Sequence, residues 1–202
     1  MVIEADSDRF VREVINRNEY SFLFKDLVVI DVGCNIGTFS FWLYALAKEI
    51  YAIDMVPEII DNLNRTIATN KIARIKTYCT AITGNELPRR YWKDPVLAAG
   101  SSQIRRDGEF ETQSMTLRNF MDMNRIQYAD ILKIDVEGLE REILSDPNFP
   151  KDRVYTILGE LHHDTNKVVE ATDRRIEVKD VVEEMGYRYT EPMKDHFLAR
   201  KI

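Results

Sequence analysis

Short apolar runs alternate with helix-period segments along this chain, and that alternation restricts the fold more than any other feature. The first run, LVVIDVG at residues 27–33, leads through a glycine-containing turn into a pattern that sets Phe39, Leu43, Leu46 and Ala47 on one helical face. IYAID at 50–54 follows, then Pro57 in the first-turn position of a helix carrying Ile59, Ile60, Leu63 and Ile67. IKTYCTAI at 75–82, ADILKID at 129–135 and VYTILGEL at 154–161 give three further strands, and LEREIL begins a helix after the second of these. A helix over 174–185 stops at Gly186, and YRYT with HFLAR closes the chain as an antiparallel pair. Strands alternating with helices predict a mostly parallel sheet, and runs such as VVI and YTIL suit strands covered on both faces. The expected architecture is a single doubly wound α/β domain over residues 1–202, with 1–26 as a helical lead-in.

Residues 84–110 interrupt the rhythm with Pro88, Pro95, Gly100 and Gly108. A stretch of this length without regular structure is usually functional or disordered. It is expected to be an irregular insertion running over the carboxyl ends of the strands, where ligands of open α/β sheets bind. Its Arg89, Arg90, Tyr91, Trp92, Lys93, Arg105 and Arg106 read either as a solvated loop or as a lid. In the lid, arginines would recognise a phosphate or carboxylate and aromatics would stack on a sugar or base.

Composition removes several alternatives. With 202 residues, 45% of them apolar and 31% charged, the chain is globular in type. A domain this long buries roughly 70% of its unfolded surface, so it needs neither disulfides nor a structural metal. Lys and Arg number 28 against 34 Asp and Glu, a formal charge of −6 that argues against a general nucleic-acid binder. Cys34 and Cys79 form no metal or redox motif and are expected to be reduced and unpaired, with the cytoplasm as the simplest compartment. The start, MVIEADSDRF, is unlike a signal peptide, and no apolar window is long enough for a membrane span. A homo-oligomer is left open.

The most informative string is DVGCNIGTFS at 31–40, between a strand and a helix. A dinucleotide fingerprint needs glycines at 33, 35 and 38, where this chain has Gly33, Asn35 and Thr38; a Walker A loop needs a lysine that is missing. The spacing of Asp31, Gly33 and Gly37 suits instead a nucleoside ligand without phosphate and with an amino-acid tail. The glycines would let that tail approach the main chain through Cys34, Asn35 and Ile36. Asp54 ends the second strand, where a carboxylate accepts hydrogen bonds from both ribose hydroxyls, or else caps the next helix.

These residues resemble the class I S-adenosylmethionine-dependent methyltransferases, and more narrowly the FkbM family. VVIDVGCNIGTFS is similar to that family's first motif, YAIDMVPEIIDNLNRTIATN to its second, TLRNFMDMNRIQYADILKIDVEGLEREIL to its most distinctive block, and ILGELHH to the strand that follows. Together they cover most of residues 27–163. Ile53-Asp54-Met55 departs from the family's common Phe-Glu-Pro and keeps the carboxylate on a shorter arm. The resemblance implies a Rossmann-like methyltransferase domain with a seven-stranded, mostly parallel sheet in the order 3-2-1-4-5-7-6. It implies S-adenosyl-L-methionine as cofactor, with Asp54 and Met55 near its ribose, Thr80, Ala81 and Ile82 near its adenine, and Ser102 in a small-residue turn reaching its carboxylate.

Methyl transfer from a sulfonium is an in-line displacement, so positioning and water exclusion carry most of the catalysis. A sugar hydroxyl also needs a base, expected at the ends of the fourth and fifth strands. There Lys133, Asp135 and Glu137 alternate with Leu132, Ile134 and Val136, giving one charged face while the extended conformation lasts. Asp135 and Glu137 read as an ion pair with Lys133 or as substrate and cofactor contacts. His162 is the expected base, with Glu160 as its orienting partner or as a substrate hydroxyl acceptor and His163 on the other side; either histidine could instead be a polar loop start. A divalent metal held by Asp135, Glu160 and His162 would also activate a hydroxyl, but no compact ligand motif requires it.

The expected function is O-methylation of a sugar or other small-metabolite hydroxyl. The alternatives are an RNA or protein methyltransferase and a non-catalytic nucleoside-binding module. A DNA amino-methyltransferase would carry Asp/Asn-Pro-Pro-Tyr/Phe where this chain has Asp135-Val-Glu-Gly, so DNA is not expected as a partner.

Overall fold

The computed structural model describes residues 26–93, 102–104, 108–162, 174–193 and 195–202. All but Asp26 of the expected lead-in, together with Gly100, Arg105, Arg106 and His163, lies outside these residues. The chain runs β1 (Leu27–Val32), α1 (Thr38–Leu43), β2 (Ala47–Asp54), α2 (Pro57–Thr69), β3 (Ile75–Cys79) and β4 (Ala81–Ile82). It continues through β5 (Arg89–Lys93), β6 (Ser102–Ile104), β7 (Phe110–Thr112), β8 (Ser114–Met115), α3 (Leu117–Met123), β9 (Ala129–Ile134) and α4 (Glu140–Leu144). It ends with β10 (Val154–Glu160), α5 (Arg174–Glu184), β11 (Tyr187–Met193) and β12 (His196–Lys201).

Seven strands form the main sheet in the order β11-β12-β10-β9-β1-β2-β3. Numbered within that sheet alone, this is the expected 3-2-1-4-5-7-6. β1, β2, β3, β9 and β10 pair in parallel, while β12 runs antiparallel to both β10 and β11. The apolar runs follow from this arrangement: Ile30 and Val32 of β1 join a core with Phe120 of α3, Ile143 of α4 and Val182 of α5. Val29 joins the opposite core with Phe39 and Leu43 of α1 and Leu63 of α2. Val29, Ile30 and Leu43 are completely buried, and each such side chain contributes about 1.5–3 kcal/mol by leaving water.

Three boundaries differ from expectation. Leu46 and Ala47 are not on the first helix: α1 has six residues, and Ala47 already begins β2, opposite Leu27. The apolar spacing that reads as a third helical turn instead covers a turn at 44–46 and the first residue of a strand long enough to pair along the whole of β1. The third run is not continuous either. It breaks at Thr80, whose N–H donates to the Asp54 carbonyl at 3.0 Å, and Ala81–Ile82 leave the main sheet to pair in parallel with Ser114–Met115.

The third difference is in the insertion, which stays irregular at 84–88 and 108–109 but contains strands in the rest of its described residues. β6, β5 and β7 form a small antiparallel sheet in that order. Tyr91 is buried with Val56 and Ile59 at the start of α2, with Ile104 packed against them, and its ring stacks on Phe110 at 5.4 Å. Arg89 is occupied by an ion pair with Glu142 of α4. Neither Arg89 nor Tyr91 is therefore the ligand contact that a lid would use.

Candidate active site

The turn after β1 is built on three left-handed residues, Gly33 at φ 73°, Asn35 at 48° and Gly37 at 85°. A Cβ on Gly33 would lie 1.7 Å from the Asp135 carbonyl oxygen, and one on Gly37 2.7 Å from a Leu63 methyl. Both glycines are thus required by the close approach of neighbouring protein. The N–H groups of Gly33 and Cys34 donate to the Ile53 carbonyl at 2.9 Å each, and that of Gly37 donates to the Cys34 carbonyl at 2.8 Å. Asp31 lies beneath the turn, fully buried, accepting the Ser40 hydroxyl at 2.6 Å with its other oxygen 3.5 Å from the Lys133 ammonium. It supports the turn from below and does not line the cleft at the strand ends.

One cleft crosses the carboxyl ends of β1, β2 and β9. Of the residues expected at the cofactor, Gly33, Asn35, Asp54, Met55, Thr80, Ala81, Ile82 and Ser102 line it, and so do Asp135 and Glu137. Cys34 and Ile36 do not: Cys34 is buried under the turn, and Ile36 points to solvent, 54% exposed. Asp54 accepts the Asn35 N–H at 3.1 Å on one oxygen and the Val56 N–H at 3.0 Å on the other. It thereby ties the first turn to the start of α2, and burial raises its pKa. A carboxylate has about four acceptor sites, so two remain for hydroxyls. Beside it, the Asn35 side-chain oxygen is buried without a hydrogen-bond partner, an acceptor that a ligand donor would satisfy.

At the other end of the cleft the extended chain stops at Ile134. Glu137 therefore gains its place through a left-handed backbone, φ 54°, followed by Gly138 at 109°, and not through strand alternation. Lys133 sits under this loop, its ammonium 2.9 Å from the Gly33 carbonyl, 3.1 Å from Asp135 and 3.5 Å from Asp31. The expected ion pair is thus Lys133 with Asp135. Burial opposes the lysine's charge, but the two aspartates outweigh it and hold the pKa above its usual value. Burial likewise opposes ionisation of Asp135, and Lys133 and His162 overcome it, lowering that pKa.

His162 follows β10 and joins this cluster. Its Nε2 lies 3.7 Å from Asp135, 3.8 Å from Glu137 and 3.7 Å from Glu160. Its Nδ1 is 3.0 Å from Glu140, nearer than Glu160, the residue expected as its orienting partner or as the acceptor of a substrate hydroxyl. Glu160 lies between two histidines, its second oxygen 3.4 Å from His196. Burial alone would depress the His162 pKa, yet the hydrogen bond to Glu140 and the charges of Glu140, Asp135 and Glu137 raise it to about 9. Asp135, Glu160 and His162 each offer one ligand atom within 4.8 Å of the others, a donor set of the kind that holds a divalent cation. Glu140, His196 and Gln103, which bonds Glu137, escape sequence reasoning. The only signal for Glu140 is an acidic residue opening a helix.

Residues 31–189 match the model of the methyltransferase FkbM domain. The chain belongs to the FkbM methyltransferase family. The FkbM match contains every residue of the cleft and of the cluster except His196. Among relatives, the hexuronic acid methyltransferase AglP of Haloferax volcanii is 22% identical over 140 residues, 68% of this chain and 57% of AglP. An uncharacterized RNA methyltransferase of Bacillus cereus is 41% identical over 54 residues, 27% of this chain and 12% of that protein. This FkbM chain thus spans under two thirds of the length of either relative. Among solved structures, SMU.1697c of Streptococcus mutans, in complex with SAH, shares the fold with a TM-score of 0.54 at 12% identity, covering 100% of both chains.

Proposed function

We propose that this FkbM domain transfers the methyl group of S-adenosylmethionine to a hydroxyl of a sugar or other small metabolite. The observation that carries the reading is His162, with Nε2 within 3.8 Å of Asp135, Glu137 and Glu160 beside the cleft. The cleft fits the cofactor's chemistry: Asp54 has acceptor capacity for ribose hydroxyls, Thr80, Ala81 and Ile82 form a wall for adenine, and the unsatisfied Asn35 oxygen suits a donor on the amino-acid tail. When bound, the cofactor supplies a methyl group activated on a sulfonium. The chain's own part is to orient the acceptor and take its proton. Asp135, Glu137 and Glu160 can accept hydrogen bonds from acceptor hydroxyls, and His162, once deprotonated, receives the hydroxyl proton. Ser102 and Ile104 from the insertion shield the cleft from water.

The same carboxylates favour a neutral, hydroxyl-rich acceptor, because a substrate carboxylate or nucleic-acid phosphate would meet like charge there. The formal charge of −6 works in the same direction against RNA. A second reading is favoured by the mutual 4.8 Å spacing of Asp135, Glu160 and His162. In it these residues hold a divalent cation in place of the His162 proton, and the chemistry supplied is Lewis-acid activation of the hydroxyl.

The test is transfer of labelled methyl from S-adenosylmethionine to a panel of neutral glycans, hexuronates and RNA, with Asp54→Ala as the control. Transfer to neutral hydroxyls supports the reading, and transfer to RNA or hexuronate carboxylates alone rejects it. Loss of activity with chelator and recovery with Mg²⁺ or Mn²⁺ selects the metal version. Binding of S-adenosylhomocysteine without transfer to any acceptor favours a non-catalytic module.

A further inference from the structure

Glu140 is the first residue of α4 and is 3% exposed, although it carries a carboxylate. One of its oxygens, Oε1, lies 3.3 Å from the Val136 N–H, 3.1 Å from the Gly138 N–H and 3.0 Å from Nδ1 of His162. The two main-chain groups can only donate, and an ionised carboxylate can only accept. The hydrogen between Glu140 and His162 therefore belongs to Nδ1.

We propose that Glu140 is the positioning residue of this site, one oxygen setting both which ring nitrogen of His162 carries the hydrogen and the path of the loop bearing Glu137. The inference rests on the reading of this cleft as an acceptor site. A neutral imidazole has one N–H, and its place is decided by the stronger acceptor at hand. On the Nε2 side of His162 stand Asp135 and Glu137 from the loop after β9 and Glu160 from β10, with Lys133 behind Asp135 and His196 behind Glu160. Those three carboxylates would draw the hydrogen to Nε2 and leave the ring unable to accept a proton from the cleft. Glu140 draws it to Nδ1 and leaves the Nε2 lone pair facing the acceptor.

The loop gives independent support. Glu137 and Gly138 both have left-handed φ, and for Glu137 that is a conformation side chains adopt only under constraint. Glu140 accepts the N–H groups on either side of that strained residue, so the imidazole and the Glu137 carboxylate are referenced to the same atom. A displacement of that atom would move both.

The test uses the full chain with ¹⁵N-labelled histidine. Above the His162 titration, wild type should show the ring hydrogen on Nδ1. In Glu140→Gln, which keeps size and an acceptor oxygen but loses charge, the larger share should move to Nε2. An unchanged tautomer in Glu140→Gln overturns the assignment. In Glu140→Ala, amide exchange at Val136 and Gly138 should rise at least tenfold; unchanged exchange there overturns the part concerning the loop. With a working acceptor, Glu140→Gln should lower kcat at least tenfold while the KM for S-adenosylmethionine stays within threefold, and Glu140→Asp should recover part of the loss. The tautomer is read without turnover. If it shifts in Glu140→Gln while His162→Ala keeps wild-type activity, the positioning role stands and the histidine-base reading falls.

Discussion

The carboxylates around His162 raise its pKa to about 9, and the pH response expected of His162 as the proposed base follows from that. A base must shed its proton before it can take another, so kcat/KM should rise with pH to a limb near 9, the value of the free protein. A limb near the ordinary histidine value would show that the surrounding carboxylates do not act as the geometry implies. Folding stability responds in the opposite sense. A histidine pKa raised above its unfolded 6.5 contributes stability that is complete below about 6.5 and lost as pH climbs through about 9. His162→Ala should remove that part of the pH dependence in denaturant titrations and lower turnover about 10²- to 10⁴-fold, the usual contribution of a general base. Asp54→Ala should weaken S-adenosylhomocysteine binding by about 1–3 kcal/mol in calorimetry, as expected for loss of a buried hydrogen-bonding carboxylate. The charges at Asp54, Asp135 and His162 are legible in the sequence because an apolar strand that ends in charge must either pair it or present it to a cleft, whereas Glu137 is placed by a left-handed loop that strand alternation does not foresee. Asp31 obeys the same rule with the other outcome, paired under the turn. Glu140 stays hidden because its partner lies 22 residues away, and no local pattern announces a contact of that range.

Between residue and domain lie the segments whose boundaries shape the cleft. Gly33 is where β1 and the loop after β9 touch, and a methyl group there would occupy the Asp135 carbonyl. Gly33→Ala should therefore destabilise by more than the about 1 kcal/mol of an ordinary glycine substitution. It should also lower Tm together with cofactor affinity; a protein of wild-type Tm would mean that the two segments can separate freely. Tyr91→Ala should loosen β5 from Val56 and Ile59 and, through the Ile104 wall of the cleft, reduce S-adenosylhomocysteine affinity about tenfold, or about 1.4 kcal/mol. The long parallel strands are readable because burial on both faces demands unbroken apolar runs. The insertion strands are not. They have three to five residues of mixed polarity, too short to show a period, and their prolines and glycines resemble those of a loop.

At the scale of the whole molecule, the sheet order keeps the two cysteines apart, with β2 between β1, which Cys34 follows, and β3, which Cys79 ends. Both are free, and they differ in access. Thiol labelling of the native protein should modify Cys79, which is exposed. Cys34 should react only on unfolding, because it is buried and its thiol pKa is pushed well up by burial and by Asp31 and Asp54. A native count of two would mean that the turn above Cys34 opens readily. No helix among the described residues is long and apolar enough to cross a membrane, in line with the composition. The short β4–β8 pairing has a further effect. Ala81 and Ile82 lie beside Ser114 and Met115, and the Ala81 and Thr83 N–H groups donate to the Gln113 and Met115 carbonyls at 3.0 Å each. Everything between leaves and re-enters the domain through a single stapled doorway. A change of length in that passage is therefore held between two anchored ends, and because the passage carries Ser102 and Ile104 it would reshape the cleft wall while the turn after β1 and Asp54 keep their place.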